Sequence, residues 1–501
     1  MSDGAETTQA AAGTGARSQR PSSAAFRRFI SSGWAEREST LPEETEGARH
    51  AVARRDRLSA RFPGDRLVVP AGGLQVRSND TDHRYRPHTA FAYLTGLGGD
   101  TEPDCVLVLE PGTGGVDHEA VLYFRPRAER DTEEFYADAR YGELWVGTRE
   151  SLAEVTARTG LPSRHLDELP DALVKDLGSV GVKVVRDADP GVTDRLDLAR
   201  ESDGLELAEA VAADDALADA VSAMRCVKDE WEVGQLREAV EATARGFADV
   251  VAALPRAVEH ARGERVIEGV FAARAREEGN GLGYEVIAAA GAHACTLHWI
   301  RNDGRVDADA VVLIDAGVEV DSLYTADVTR TLPASGRFSE AQRRVYTAVL
   351  DAADAAFAAT RPGATIREVH EAAMLVIVDR LSTWGVLPVG AEESLDVAEG
   401  GQHRRWMVHG TSHHLGLDVH DCARLARETY QGQALEEGMV FTIEPGLYFR
   451  PDDLLVPEEL RGIGVRIEDD VLVTADGAEN LSAMLPREPD AVETWMAQLQ
   501  R

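Results

Sequence analysis

Residues 409–421, "HGTSHHLGLDVHD", hold four of the chain's 14 histidines and two aspartates among glycines and small residues. Gly410, Gly416 and the Thr-Ser pair between them argue for a loop, since each weakens helical continuity. Histidines and aspartates are ordinary in solvated loops. The density implies chemistry only if partners exist elsewhere in the chain.

Candidate partners interrupt strand-like runs. Asp315 ends "VVLID", Asp327 interrupts "YTADVTRTLP", Glu444 follows "MVFTI", and Glu468 sits in "GVRIEDDV". Burying an unpaired carboxylate is costly, so a buried one needs a cation or strong donors. Period-two alternation puts Arg466 and Glu468 on one face of their strand, with Val465 and Ile467 on the other. One face can be core while the other lines a polar site. Asp469 and Asp470 are expected at a turn.

Four carboxylates and an imidazole carry a formal charge that balances two divalent cations. The oxygen-rich set suits Mn²⁺, or a similarly hard ion, better than structural Zn²⁺. Two cations roughly 3.5–4 Å apart can share a water, acidify it and polarise a carbonyl. The pattern implies metal-assisted hydrolysis.

The 501 residues exceed the roughly 250–300 that one core usually reaches, so more than one domain is expected. Residues 1–45, rich in Ala, Gly, Ser, Thr and Glu, read as a flexible tail. From residue 46 to about 215, "ARRDRLSARF" predicts a helix, and "DRLVVPAG", "CVLVLEP", "EAVLYFRPR" and "VGVKVVRDAD" predict strands, giving an α/β domain. Residues 222–501 open with a helix capped by Asp229, with Trp231, Leu236, Val240 and Phe247 at helical spacing. Two more amphipathic helices and hairpin-like strands follow, an α+β pattern.

A net charge of −34 argues against nucleic-acid binding, which depends on basic residues neutralising phosphate. No apolar run approaches the roughly 20 residues that cross a bilayer, and the first residues lack a secretory apolar core. The four scattered cysteines form neither a disulfide framework nor a zinc motif. The default compartment is the cytoplasm. "HEAAM" at His370 lacks a zincin's second histidine, no G-x-S-x-G elbow or phosphate loop is present, and His370 reads as a surface or packing residue.

The ordered set "LIDAG…ADVTRT…HGTSHHLGLDVHD…TIEPGLY…GVRIEDD" resembles the dinuclear "pita-bread" metallopeptidases, specifically the Xaa-Pro aminopeptidases (aminopeptidase P). "YRPHTAFAYLTGL" resembles a segment of that family's amino-terminal domain, although Ala92 stands where a tryptophan is frequent. Asp315 and Asp327 also lie one residue further apart than is usual in its bacterial members. The resemblance implies an α/β amino-terminal domain before a pita-bread catalytic domain. It also implies metal ligation by Asp315, Asp327, His413, Glu444 and Glu468, with Asp327 and Glu468 bridging. In such enzymes a bridging hydroxide attacks the scissile carbonyl and the residue matching Glu444 handles the proton. His298 and His420 would hold the substrate, and His409 would wall the proline. Arg466 and Tyr448 would orient these groups, with Tyr284 near the metals. The substrate would be a peptide with proline second, and the assembly a homodimer or homotetramer.

Four alternatives share this frame. A prolidase has the same ligands but prefers Xaa-Pro dipeptides. Methionine aminopeptidases resemble only the second unit. Creatinase-like relatives use the fold without metal. A metal-free binding module, with its acidic surface holding a basic partner, would come out of purification empty.

Overall fold

The computed structural model describes residues 23–37, 40–112 and 117–500. The chain divides into two compact units between Ala218 and Asp219, inside the helix Leu207–Met224. None of the described helices is long and apolar enough to cross a membrane.

The first unit is built on a mixed sheet of β1 (Arg66–Pro70), β2 (Val106–Pro111), β3 (His118–Phe124), β4 (Ser163–His165) and β5 (Val182–Val184). Its spatial order is β4-β3-β2-β1-β5. The central β1, β2 and β3 run antiparallel, and the edge strands β4 and β5 join in parallel. Leu67, Val68, Val69 and Leu107, Val108, Leu109 are all buried, which the continuous apolar runs demand of strands covered on both faces. The composition of residues 1–45 suggested a flexible tail, but Ala24–Ile30 is a helix. Phe26 packs edge-on against Tyr136, and Trp34 against Phe135. These aromatics bury area that the surrounding small residues cannot. Residues 1–22 of the expected tail lie outside the described residues.

The second unit opens on the helix Glu230–Glu259. Asp229 caps it, accepting from the Glu232 N–H while the Glu232 carboxylate accepts from the Asp229 N–H. Leu236, Val240, Phe247 and Leu254 form its buried stripe. The helix Gly263–Glu278 packs along it, and Glu340–Ala359 and Ile366–Thr383 form a second pair. Between the pairs lie β6 (Ile287–Ala290), β7 (Val311–Ala316) and β8 (Val328–Pro333), ordered β8-β7-β6 and antiparallel. Later come β9 (Val440–Ile443), β10 (Gly446–Phe449), β11 (Ile463–Arg466), β12 (Asp469–Thr474) and β13 (Gly477–Asn480). They pair as β9-β12-β13 and β10-β11.

"TIEPGLY" and "GVRIEDD" are therefore each broken rather than continuous. Glu444 and Pro445 separate β9 from β10, where proline has no N–H to give a ladder. Ile467 and Glu468 separate β11 from β12. Asp469 and Asp470 are not at a turn. They start β12, opposite Ile443 and Thr442, and are 3% and 0% exposed.

Candidate metal centre

The expected acidic residues converge because each sits at a strand end or break. Asp315 is the penultimate residue of β7, and Asp327 directly precedes β8. Glu444 and Glu468 occupy the two breaks. The loop with His413 is tied alongside β9: the Thr442 N–H donates to the His413 carbonyl, and the Glu444 N–H to that of Thr411. Residues 409–421 contain no helix or strand, as their glycines imply.

A cavity of about 320 Å³ results, lined by Asp315, Asp327, His413, Glu444 and Glu468 with His298, His409, His420 and Arg466. Leu297, Gly410 and Ser412 complete the wall. Tyr448 and Tyr284 support it from behind. The Tyr284 hydroxyl donates to Asp315 Oδ1 at 2.7 Å and to Asp327 Oδ1 at 2.5 Å. Burial and the two carboxylates raise its pKa well above the ordinary value, so it remains a donor.

Arg466 makes three side-chain bonds here. Its Nη2 meets Asp315 Oδ2 at 2.5 Å, Nε meets Thr329 Oγ1 at 3.0 Å, and Nη1 meets the Tyr448 oxygen at 3.2 Å. Thr329 in turn donates to Glu468 Oε2 at 2.6 Å, placing Arg466 and Glu468 on one side, as the alternation predicts. Val465 and Ile467 are fully buried in the opposite core. Thr329 was not singled out from sequence. Its signal was its place two residues beyond Asp327, on the same face of the strand.

The histidines differ in setting. His413 Nδ1 faces the His414 carbonyl at 3.2 Å, which leaves Nε2 pointing at Asp327 Oδ2 (3.3 Å) and Glu444 Oε1 (3.6 Å). Burial alone would lower its pKa, but Asp327 and Glu444 outweigh that and lift it to about 9. His409 Nδ1 faces the Gly410 carbonyl at 2.6 Å and so carries the ring proton, while Nε2 accepts from the Tyr448 hydroxyl at 2.8 Å. Burial and then Arg466 hold His409 near 3, and it is neutral at neutral pH. His420 stands edge-on to His413, with ring centroids 4.4 Å apart, and burial lowers its pKa. His298 lines the same cavity from the loop after β6. His370 is partly buried and bonded to Thr411 Oγ1 at 3.1 Å, a packing position.

The donor set fits a divalent cation. Asp327, His413 and Glu468 each offer one ligand atom, all within 4.8 Å of one another. Burial raises Asp315, Glu444 and Glu468, against the pull of Arg466, and the neighbouring carboxylates push them further, with Glu444 reaching about 7. One guanidinium and one imidazolium cannot neutralise four clustered carboxylates, three of them buried, and metal charge would relieve the repulsion. His413 aims Nε2 into the carboxylate cluster, with Nδ1 fixed by a carbonyl, as metal-binding histidines generally do.

Residues 234–475 match the model of metallopeptidase family M24, and residues 51–185 match that of the aminopeptidase P N-terminal domain. Xaa-Pro aminopeptidase 1 of Streptomyces coelicolor is 51% identical over 474 residues, covering 94% of this chain and 91% of its own. The Xaa-Pro aminopeptidase of Escherichia coli is 33% identical over 444 residues, covering 87% and 94%. The low-pH structure of E. coli aminopeptidase P superposes with a TM-score of 0.77 at 30% identity, over 91% of this chain and 99% of that one.

Proposed function

This chain belongs to metallopeptidase family M24, and on that premise we infer that it is a metal-dependent aminopeptidase. It releases the N-terminal residue from peptides with proline in second position. The named relatives favour this over a prolidase. The observation that carries the reading is the meeting of Asp327, His413 and Glu468 in one cavity with His298, His409 and His420.

Asp315, Asp327, His413, Glu444 and Glu468 would hold two divalent cations, Mn²⁺ by the hardness of the donors. Bound there, such ions supply Lewis acidity toward water and toward the scissile carbonyl oxygen. The chain's own groups do the rest. Water oxygen adds to the carbonyl carbon and gives one proton to the Glu444 carboxylate. That proton passes to the proline nitrogen as the C–N bond breaks. His298 and His420 hold the carbonyl oxygen as its charge grows. Neutral His409, fixed by Tyr448 and the Gly410 carbonyl, presents its ring to the proline. Proline lacks the N–H that backbone-gripping peptidases use, so a shaped wall is the available handle.

We further read residues 46–215 and 222–501 as the two domains and the assembly as a homodimer or homotetramer. We place the protein in the cytoplasm, where four unpaired buried cysteines are unremarkable. Light scattering on the purified protein checks the assembly. The functional test is turnover of Xaa-Pro-Yaa, Xaa-Ala-Yaa and Xaa-Pro peptides before and after chelation. The reading requires metal-dependent cleavage of the first, with much slower turnover of the others. Cleavage confined to Xaa-Pro dipeptides would make the protein a prolidase.

A further inference from the structure

A second cavity, of about 410 Å³, adjoins the first. Leu297 lines both, and Tyr448 lines the second while its hydroxyl bonds to His409 in the first. The wall assigned to the proline is thus shared, and a peptide continuing past proline has this space before it.

The second cavity carries an excess of positive charge in a chain of net charge −34. Arg404, Arg405 and Arg450 line it against Asp452 and Asp453. Two guanidiniums are already matched. Arg405 clamps Asp453 at 2.8 and 3.0 Å, and Arg450 meets Asp452 at 3.0 Å. Arg404 differs: its bond is to the Val408 carbonyl at 3.0 Å, and it has no carboxylate partner among the described residues. Val408 directly precedes His409, so Arg404 is fixed to the backbone that carries the proline wall. Arg404 is exposed at this cavity with guanidinium donors left over, and the planar fork of a guanidinium suits a carboxylate.

We propose that this second cavity receives the residue after proline, and that Arg404 grips a carboxylate there. The carboxylate is either the C-terminus of a tripeptide or an acidic side chain. The proposal rests on the aminopeptidase reading of the first cavity. It also gives the enzyme a means of drawing anionic peptides to a site that its overall charge repels.

The test compares kcat/KM for Ala-Pro-Ala acid with its amide, and for Ala-Pro-Glu amide with Ala-Pro-Gln amide. It uses the metal-loaded wild type, Arg404→Met and Arg404→Lys. The wild type should prefer the carboxylate member of at least one pair by about tenfold, through KM. Arg404→Met should abolish that preference and Arg404→Lys retain part of it. Loss in the first pair identifies the chain terminus as the ligand, and loss in the second the side chain. Equal rates within both pairs in the wild type, or a preference that survives Arg404→Met, overturn the proposal while leaving the aminopeptidase reading intact. A wild type that cleaves no Xaa-Pro bond overturns that reading, and this proposal with it.

Discussion

The backbone N–H of Asp327 donates to Asp470 Oδ2 at 3.1 Å. Asp470 is fully buried on β12, and burial, then the Asp327 charge, lifts its carboxyl well above the usual range. It is a fixed acceptor that sets the backbone from which the Asp327 side chain projects. Asp470→Asn keeps an acceptor of the same shape and should bind metal like the wild type. Asp470→Ala should weaken metal affinity by about 10–100-fold, the usual loss when an outer partner of a ligand is removed. Competition with a chelating dye measures both. Equal affinity in the alanine variant would remove Asp470 from the account.

Arg466 joins Asp315, Thr329 and Tyr448 through three different nitrogens. A lysine keeps the charge but cannot span three directions at once. Arg466→Lys should lower kcat/KM by about 100-fold, an effect expected when a preorganised polar site is disturbed. Circular dichroism and metal content check that the fold survives, and peptide kinetics measure the loss.

Glu264 organises the loop that carries His298. Fully buried, it accepts from the N–H groups of Ala290 (2.9 Å) and Gly304 (2.6 Å), from the Trp299 indole (2.9 Å) and from His293 Nδ1 (2.7 Å). Truncation strands several donors, each costing about 1–3 kcal/mol if buried and unmet. Glu264→Ala should therefore destabilise the protein by about 3 kcal/mol or more, and urea denaturation reads that directly. Turnover should fall further than metal occupancy, because His298 moves and the carboxylates do not.

Burial, with Arg404 and His403 adding to it, holds His370 at about 4. An exposed imidazole titrates near 6.5, so the unfolded chain takes a proton that the folded chain refuses. This contribution to stability is full above about 6.5 and is lost as pH falls toward 4. His370→Gln should flatten that limb. Between pH 7.5 and 5 the variant should lose about 1–2 kcal/mol less than the wild type, measured by chemical denaturation. Parallel curves would show that other groups govern the acid limb.

Much of this site could be read before the fold was known, because its residues break local rules. A carboxylate ending "VVLID" or splitting "YTADVTRTLP" contradicts the apolar pattern around it, and such conflicts mark functional positions. Asp229, with Glu232 three residues on, announced its helix start by local chemistry alone. The failures needed distant partners. Asp469 and Asp470 look like a polar turn until Arg330 and Arg487 reach the first and the Asp327 N–H the second. Nothing within a few residues of either predicts that. Phe26 and Trp34 are single aromatics in a low-complexity stretch, and their packing depends on Phe135 and Tyr136, a hundred residues away. Arg404 carries no local signal, because neither the cavity beside it nor the pairing of Arg405 and Arg450 is a local property.

The central claim is that this carboxylate–histidine cluster is a working metal centre for Xaa-Pro cleavage. The most direct test counts metal ions per chain while following Ala-Pro-Ala hydrolysis, in the wild type and in Asp327→Ala, with Mn²⁺ returned stepwise after chelation. The account predicts that activity vanishes with the metal and returns as occupancy approaches two ions per chain. The folded Asp327→Ala variant should fail at both. Full turnover by a chelated, metal-free wild type would contradict it.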